Sequence, residues 1–174
     1  GGTVEVGGNK NAVLPMIAAT LLTDDDVVLR NVPEITDVDM MLKILSALGA
    51  SVDRNGTTVR VNASGVTRNE IPKAMCSALR TSFLFAGPLA ARCGSSVLYP
   101  PGGDVIGRRR LDSHFYGLKK LGGALRDEEI PYTFETSLRG LHGTEIFLDE
   151  ASVSAEPRFC FLRLPLFPRS GKFR

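Results

Sequence analysis

Glycines, a single acid and three arginines stand together in residues 101–110, Pro-Gly-Gly-Asp-Val-Ile-Gly-Arg-Arg-Arg. Three adjacent cations at the start of a predicted helix oppose the helix macrodipole, so a bound anion is the natural compensation. Guanidinium groups suit bidentate contacts with phosphate or carboxylate, and Asp104 beside them could donate or accept a proton. The pattern indicates an anion-binding loop with acid–base chemistry. The alternative is a surface turn with a solvated basic helix start.

A second candidate lies at the start of the first predicted helix, where the sequence is Gly7-Gly8-Asn9-Lys10-Asn11. Two glycines let the backbone approach a ligand closely, and a helix N-terminus offers free N–H groups to an anion. Lys10 adds a positive charge at this point. Taken alone the pattern is weak, because a solvated lysine in a glycine-rich turn is the commoner arrangement.

Arg80 is predicted to lie in the middle of a helix among the apolar residues Met75, Leu79 and Phe83. A partly buried arginine needs a partner. That partner is either the phosphate of a ligand or a structural carboxylate, and the sequence slightly favours the carboxylate. His114 follows the three arginines on the next predicted helix, and we expect it to pack or cap rather than to catalyse.

The composition is that of an ordinary soluble globular protein. The 174 residues are 43% hydrophobic and 23% charged, and no apolar run approaches the roughly 18 residues that a spanning helix needs. The formal net charge is +2, but residues 158–174 hold five Lys or Arg and no acid, which leaves +2 − 5 = −3 for residues 1–157. The overall charge therefore gives no argument for nucleic-acid binding, and no membrane partner is expected.

Three cysteines, Cys76, Cys93 and Cys160, show no Cys-x-x-Cys spacing, and the two histidines lie far apart in the sequence. Neither a disulfide framework nor a metal site follows from this pattern, and no cofactor is expected. The thiols should behave as small apolar groups in a reducing cytoplasm.

The chain contains an internal repeat, which constrains the fold more than any single motif. Residues 27–29 match residues 96–98 at a shift of 69 positions, whereas residues 39–49 match residues 112–122 at a shift of 73. The second copy therefore carries about four extra residues between its strand and its helix. Those residues fall in the Pro-Gly-Gly-Asp stretch, so the repeat itself identifies an elaborated loop.

Each copy is predicted to have the order β-α-β-α-β-β, giving an α/β protein whose helices cover one face of small sheets. Apolar positions at helical spacing, Asn-Gly at a hairpin turn and Gly49 after a helix define the boundaries. The predicted helices are residues 11–22, 37–48, 71–92 (interrupted near 87–88) and 110–121. The predicted strands are residues 27–32, 51–54, 57–61 and 96–99, with a second hairpin near 128–131 and a third unit opening at 144–148.

Past residue 155 the pattern changes, because phenylalanines stand among Arg and Pro with no period of 2 or 3.6. We predict one domain over residues 1–155 and an irregular basic tail over residues 156–174. A shifted reading frame or a truncated gene copy would produce such a tail. The alternative is a basic aromatic arm for nucleic acid.

Together these segments resemble the UDP-N-acetylglucosamine enolpyruvyl transferases of peptidoglycan synthesis. The resemblance runs in family order and spacing over residues 1 to about 155. It rests on the following segments: Gly-Gly-Asn-Lys-Asn-Ala-Val-Leu-Pro (7–15), Asn-Val-Pro (31–33), Asp-Val-Asp (37–39), Leu-Gly-Ala (48–50), Leu-Arg-Thr-Ser (79–82), Ala-Gly-Pro-Leu (86–89), the 101–110 loop and Asp-Glu-Ala-Ser-Val (149–153).

The resemblance implies an inside-out α/β barrel built from βαβαββ repeats, of which only the first domain is represented. Members of this family are more than twice as long, and a second domain of the same enzyme completes the active-site cleft. That domain supplies a carboxylate base and further arginines, so this chain by itself is expected to be incomplete. The first strand normally belongs with the second domain, and residues 3–6 are therefore expected to be unpaired.

The implied activity is cytoplasmic transfer of the enolpyruvyl group from phosphoenolpyruvate to the 3-hydroxyl of UDP-N-acetylglucosamine, with release of phosphate. Lys10 and Asn11 match the pair that meets both substrates, Arg80 matches a substrate-binding arginine, and Arg109 matches the one that neutralises phosphate. The remaining implied substrate contacts are Arg110, Leu111, Asp112 and Ser113 along the nucleotide, with Ser152 and Val153 at the uridine diphosphate. Lys10 and Asp104 are the implied catalytic residues.

Asp104 stands where most members of the family carry a loop cysteine. A carboxyl group can still supply a proton, but it is a much poorer nucleophile than a thiolate. An enzyme with this loop is therefore expected to resist epoxide inactivators such as fosfomycin.

Two other functions stay open at this point. An enolpyruvylshikimate-phosphate synthase would share the fold and the phosphoenolpyruvate chemistry, although Asn11 and the Pro-Gly-Gly loop favour the nucleotide-sugar enzyme. A non-catalytic fragment would at most bind a nucleotide sugar. A nucleic-acid-binding module ranks last.

Overall fold

The computed structural model describes residues 1–4, 6–102, 111–126, 130–136 and 141–146. Its helices are α1 (Lys10–Ala19), α2 (Thr36–Leu48), α3 (Lys73–Ala78), α4 (Ala86–Cys93) and α5 (Asp112–Lys120), with 3₁₀ segments at Thr20–Leu22 and Arg80–Phe85. Its strands are β1 (Val27–Leu29), β2 (Ser51–Asn55), β3 (Thr58–Asn62), β4 (Ser95–Leu98), β5 (Gly123–Leu125) and β6 (Tyr132–Thr136). Helices and strands alternate as the sequence predicts for an α/β chain.

The two sheets have the same topology and the same register. The first has the order β1-β3-β2 and the second the order β4-β6-β5, with antiparallel pairing throughout. Val61 lies opposite Val27, and Phe134, 73 positions after Val61, lies opposite Ser96, 69 positions after Val27. The predicted repeat is confirmed, and its four-residue insertion lies between β4 and α5.

The first two helices form as their side chains dictate. The Asn9 side chain caps α1 by accepting hydrogen bonds from the backbone N–H groups of Asn11 (2.8 Å) and Ala12 (3.2 Å). Helix α1 begins one residue before the predicted start and tightens into a 3₁₀ turn at Thr20. Gly49 ends α2 as predicted, and the apolar residues at helical spacing along one face of that helix are buried: Val38, Met41, Leu42, Leu45 and Leu48.

The long helix predicted over residues 71–92 is wrong, because the chain is extended at Leu79 (φ −143°, ψ 121°). The hydroxyl and backbone N–H of Ser82 both donate to the carbonyl of Leu79, at 2.7 and 3.2 Å, and so begin a new turn there. The break predicted near residues 87–88 is absent, since Pro88 lies in the first turn of α4, where a missing N–H costs little.

Strand boundaries also differ from the prediction. Strand β1 ends at Leu29 rather than at residue 32, because Asn31 takes a left-handed conformation (φ 56°) that turns the chain towards α2. The first hairpin is confirmed, but Asn55 pairs with Thr58, so its turn lies at Gly56-Thr57, one position later than predicted. Residues 144–146 form no strand, and residues 147–148 of the predicted third unit lie outside the described ranges.

The helices pack against the two sheets and join the units into one core. Residues 86–90 of α4 are all buried, and α4 packs against β4, β6 and the 3₁₀ turn at Thr20–Leu22. At its end Arg92 donates to the carbonyl of Leu21 (2.8 Å) and forms an ion pair with Asp24. Across the described residues, none of the helices has the length and apolarity needed to cross a membrane.

Candidate functional site

Lys10 begins helix α1, but the backbone around it differs from the prediction. The N–H groups of Asn11 and Ala12 donate to the Asn9 side chain, and that of Val13 donates to the Asn9 carbonyl (3.0 Å). The N–H groups of Asn11 and Ala12 are therefore occupied by the cap and are not open to an anion as expected, whereas that of Val13 makes the first hydrogen bond of the helix. The positive charge at this position comes from the Lys10 side chain, which is 52% exposed.

The ammonium group of Lys10 forms an ion pair with the carboxylate of Asp37, at the start of α2. Gly8 lies against the turn that leads into α2, where an added Cβ would overlap the carbonyl oxygen of Asn31 and press on the ring of Pro33. The glycine thus serves backbone packing between two segments of the chain. The Gly-Gly and Asn-Val-Pro segments of the sequence are in contact because of it.

A second acid in the first turn of α2, Asp39, has a different partner. Arg54 on β2 donates to Asp39 (2.5 Å), to the carbonyl of Pro33 (3.3 Å) and to the carbonyl of Gly56 (3.0 Å). This arginine ties the entry of α2 to the first hairpin. Asp39 therefore has a structural role in the first unit.

Arg80 begins a 3₁₀ segment after the break at Leu79, and does not lie in mid-helix as predicted. Arg80 is half-buried. The segment packs against both α1 and α2, and its Phe83 ring lies 5.9 Å from that of Phe115 on α5. The fold therefore places the Arg80 segment between the helix that carries Lys10 and Asn11 and the helix that carries Asp112 and Ser113.

Helix α5 presents the described part of the predicted nucleotide segment. Leu111 is half-buried and precedes the helix, and its carbonyl accepts from the N–H groups of His114 (2.9 Å) and Phe115 (3.0 Å). Asp112 is exposed in the first turn, and Ser113 is half-buried. His114 is 4% exposed and lies 5.6 Å from the Phe83 ring, which confirms its predicted packing role.

The base of the predicted anion-binding loop is attached to the end of α3. The backbone N–H of Gly102 donates to the carbonyl of Cys76 (3.0 Å), and a Cβ on Gly102 would overlap the carbonyl oxygen of Ser77. These contacts with Cys76 and Ser77, shortly before Arg80, were not predicted. The Gly-Gly pair is the signal that could have indicated them. Five predicted site residues lie outside the described ranges: Asp104, Arg109, Arg110, Ser152 and Val153.

The described thiols are poorly suited to replace a loop cysteine. Burial raises the pKa of both Cys76 and Cys93, which disfavours the thiolate. The pKa of Tyr99 is also raised, chiefly by its hydrogen bond to Glu70 (2.9 Å). No group of three or more potential metal ligands occurs within the described residues.

An open depression of about 500 Å³ lies between α2, β2 and α3. It is lined by Asp39, Arg54, Leu42 and Met75 among others, and by none of the predicted site residues. The Asp39–Arg54 pair accounts for its polar side. We therefore place the candidate site at the N-terminal ends of α1 and α5 and at Arg80, and not in this depression.

Residues 1–167 match the family model described as EPSP synthase (3-phosphoshikimate 1-carboxyvinyltransferase). The chain belongs to the EPSP synthase family.

Over 155 residues the chain is 46% identical to the UDP-N-acetylglucosamine 1-carboxyvinyltransferase of Treponema denticola and 50% identical to that of Treponema pallidum. The enzyme of that name from Bradyrhizobium diazoefficiens is 42% identical. Each match covers 88% of this chain. The chain spans 36% of the length of the Treponema relatives.

Two solved structures confirm the fold. The enolpyruvyl transferase NikO from Streptomyces tendae superposes with a TM-score of 0.67 at 22% identity, over 78% of this chain and 30% of that one. EPSP synthase from Acinetobacter baumannii gives a TM-score of 0.68 at 17% identity, over 92% of this chain and 37% of that one. The predicted α/β architecture of the enolpyruvyl transferases is therefore correct.

Proposed function

We propose that this chain forms part of an enzyme that transfers the enolpyruvyl group of phosphoenolpyruvate to the 3-hydroxyl of UDP-N-acetylglucosamine and releases phosphate. The observation that carries the proposal is the 42–50% identity, over 155 residues, to relatives named for this nucleotide-sugar reaction. Identity to a solved EPSP synthase is 17%, which supports the shared fold without favouring shikimate 3-phosphate.

The described arrangement supports an anionic substrate between α1 and α5. Lys10 is half-exposed at the start of α1, and the segment that begins with Arg80 packs against that helix. Lys10, Asn11 and Arg80 are proposed to bind phosphoenolpyruvate and the sugar. Charge-assisted hydrogen bonds of this kind are roughly twice as strong as neutral ones.

The nucleotide is proposed to lie along the start of α5 and the residues that flank it. Arg109 is assigned to neutralising phosphate, and the remaining contacts are assigned to Arg110, Leu111, Asp112 and Ser113, with Ser152 and Val153 at the diphosphate. Asp112 and Ser113 lie in the first turn of α5. A second domain of the same enzyme is proposed to close the cleft over residues 1–155, with residues 156–174 forming a separate basic tail.

Asp104 is proposed to supply the proton that the enolpyruvyl group takes up during transfer. A positioned general acid of this kind contributes about 10²–10⁴ in rate. Because a carboxylate is a poor nucleophile towards an epoxide, the enzyme is proposed to resist fosfomycin. The reaction would then serve cytoplasmic peptidoglycan synthesis.

A second candidate is a chain that binds the nucleotide sugar without turnover. Its basis is that the residues matched here correspond to the first domain of the family, whereas the base of the reaction is expected on the second; the chain spans 36% of the length of its Treponema relatives. In this case UDP-N-acetylglucosamine would bind, but phosphoenolpyruvate would not be consumed.

The test measures phosphate release from phosphoenolpyruvate with either UDP-N-acetylglucosamine or shikimate 3-phosphate as acceptor, together with calorimetry for each acceptor. Release that requires the nucleotide sugar supports the proposal. Release that requires shikimate 3-phosphate would show that the acceptor is wrong. Binding of the nucleotide sugar with no release selects the non-catalytic candidate.

A further inference from the structure

The ion pair between Lys10 and Asp37 joins the first turns of two helices. Lys10 is the first residue of α1, and Asp37 is the second residue of α2. The Asp37 side chain is 26% exposed, whereas the Lys10 side chain is 52% exposed. The carboxylate is therefore the more fixed member of the pair, and the ammonium group is the more accessible one.

Backbone packing on both sides holds the two groups at this separation. Gly8 lies against Asn31 and Pro33, so the residues before α1 are in contact with the turn before α2. The Asn9 cap then sets the first turn of α1. The segment that begins with Arg80 packs against both helices and so helps to hold the first turns of α1 and α2 next to each other.

An ammonium group carries three N–H donors and no acceptor. A contact with one carboxylate oxygen occupies one donor and leaves the others for further oxygens. Because the Lys10 side chain is flexible by nature, its free form would lose rotamer entropy on meeting a substrate. A partner that already holds the ammonium in place reduces that loss.

We infer that Asp37 is a positioning residue for Lys10, which orients the ammonium group towards an anionic oxygen of phosphoenolpyruvate. This inference rests on the proposed function, because it takes phosphoenolpyruvate as the anion that Lys10 meets. Asp37 does not contact the substrate in this role. Its effect is on the affinity that Lys10 provides.

The chain offers a matched control in Asp39. This acid lies two positions later in the same helical turn and is also paired with a cation, Arg54. Asp39→Asn removes one negative charge and one ion pair from the same place as Asp37→Asn does. A purely structural or long-range charge effect would therefore be similar in the two variants.

The first experiment asks whether the pair holds Lys10, and it does not depend on any substrate. Proton–nitrogen NMR of the lysine ammonium groups is recorded for the 174-residue chain with assignment through Lys10→Met. We expect a slowly exchanging Lys10 ammonium signal in the wild type and in Asp39→Asn, and its loss in Asp37→Asn. An unchanged signal in Asp37→Asn would overturn the inference.

The second experiment measures, by calorimetry with UDP-N-acetylglucosamine present, the phosphoenolpyruvate affinity of the enzyme that includes the proposed second domain. About 0.5 M salt shortens the Debye length to about 4 Å, so repulsion between Asp37 and the substrate is largely screened. Asp37→Asn is expected to weaken binding about twofold, which corresponds to about 0.4 kcal/mol and lies in the lower part of the range for exposed ion pairs, because the salt also screens the Lys10–Asp37 pair. Asp37→Glu should recover most of that loss, and Asp39→Asn should bind as the wild type does.

Equal affinities in Asp37→Asn and the wild type, or equal losses in Asp37→Asn and Asp39→Asn, would overturn the positioning role. Failure of the proposed function has a different signature. In that case phosphoenolpyruvate affinity is absent, or it is unaffected by Lys10→Met, even though the Lys10 ammonium signal is present. Circular dichroism of each variant excludes loss of folding as the cause of weaker binding.

Discussion

The first and second repeat units have the same strand order and register, but they differ in the segment between the first strand and the following helix. Residues 30–38 connect Leu29 to Asp39, whereas residues 99–111 connect Leu98 to Asp112, a connection four residues longer. The shared part of the repeat builds the core. The unequal part carries residues that are proposed to act in the chemistry, Asp104 and Arg109 among them.

The units also differ in charge at an equivalent position. At the shift of 73 residues that relates the two helices, Asp37 of the first unit corresponds to Arg110 of the second. The first unit therefore supplies a carboxylate, which pairs with Lys10, where the second unit supplies a cation. This difference adds a positive charge to the second unit at Arg110, the last residue of the loop that is proposed to meet phosphate.

Glycine is used in the same way in both units. Gly8 lies against the Asn31 carbonyl in the first unit, and Gly102 lies against the Ser77 carbonyl in the second. In both cases one residue of a Gly-Gly pair allows two backbone segments to touch just before a residue with a proposed role, Lys10 or Asp104. Both contacts are between segments of the protein itself.

The largest expected change in the free energy of unfolding comes from the buried residues at equivalent positions of the two sheets. Phe134 is 1% exposed and lies 6.0 Å from the Phe83 ring, whereas the equivalent residue in the first unit is Val61. Phe134→Ala should lower the free energy of unfolding by about 3–5 kcal/mol. Val61→Ala removes fewer buried carbon atoms and should cost about 2 kcal/mol. Urea denaturation of both variants measures the difference, and equal losses would contradict a larger contribution of the Phe134 ring than of Val61 to the shared core.

The next effect concerns the two packing glycines. Gly102→Ala and Gly8→Ala should each destabilise the protein by about 1–3 kcal/mol, because the added methyl group meets a backbone carbonyl that cannot move freely. Gly143→Ala is the control, since nothing lies within 4 Å of its added carbon, and it should change stability by less than about 0.5 kcal/mol. If thermal unfolding shows all three alanine variants to be equally stable, the two glycines do not act as anchors.

The smallest expected effect is a pH dependence of stability that arises from Asp26, which directly precedes β1. Hydrogen bonds from Asn62 (2.8 Å) and Arg60 (3.1 Å) lower the pKa of Asp26 in the folded protein. Its stabilising contribution is therefore complete above the pKa of the unfolded chain, about 3.9, and is lost as the pH falls through the lower folded-state pKa. The equivalent residue of the second sheet, Ser95, does not titrate.

Urea midpoints of the wild type and Asp26→Asn between pH 6 and pH 2.5 test this point. The two proteins should differ above about pH 4 and converge as the pH falls. A constant difference over the whole range would show that the Asp26 charge contributes nothing.

The repeat and the core of the first unit could be predicted because their signals are local and periodic. The apolar face of α2 follows from the spacing of its apolar residues, and the hairpin follows from the Asn-Gly pair. The four-residue insertion follows from comparing the two copies. The break at Leu79 could not be predicted in this way, because it depends on hydrogen bonds that Ser82 makes to the Leu79 carbonyl. Pro88 was a misleading signal, since a proline is tolerated in the first turn of a helix.

The candidate site was predictable in its residue types but less so in its contacts. Arg80 was identified as a cation that needs a partner, and Lys10 was expected to be a solvated lysine or to meet a ligand; its partner is Asp37, 27 positions later in the sequence. The Asn9 side chain accepts hydrogen bonds from two of the backbone N–H groups that were expected to be open to an anion. Contacts of this kind depend on how two helices meet, which a single sequence does not specify.

Phosphate release from phosphoenolpyruvate, with UDP-N-acetylglucosamine as acceptor, tests the central claim most directly when wild type, Asp104→Asn and Asp104→Cys are compared with and without fosfomycin. The wild-type enzyme, with the second domain that is proposed to close the cleft, should turn over in the presence of fosfomycin. Asp104→Asn should lose about 10²-fold or more of the rate, and Asp104→Cys should be active until fosfomycin inactivates it. Unchanged activity in Asp104→Asn would contradict the assignment of the longer loop as the site of proton transfer.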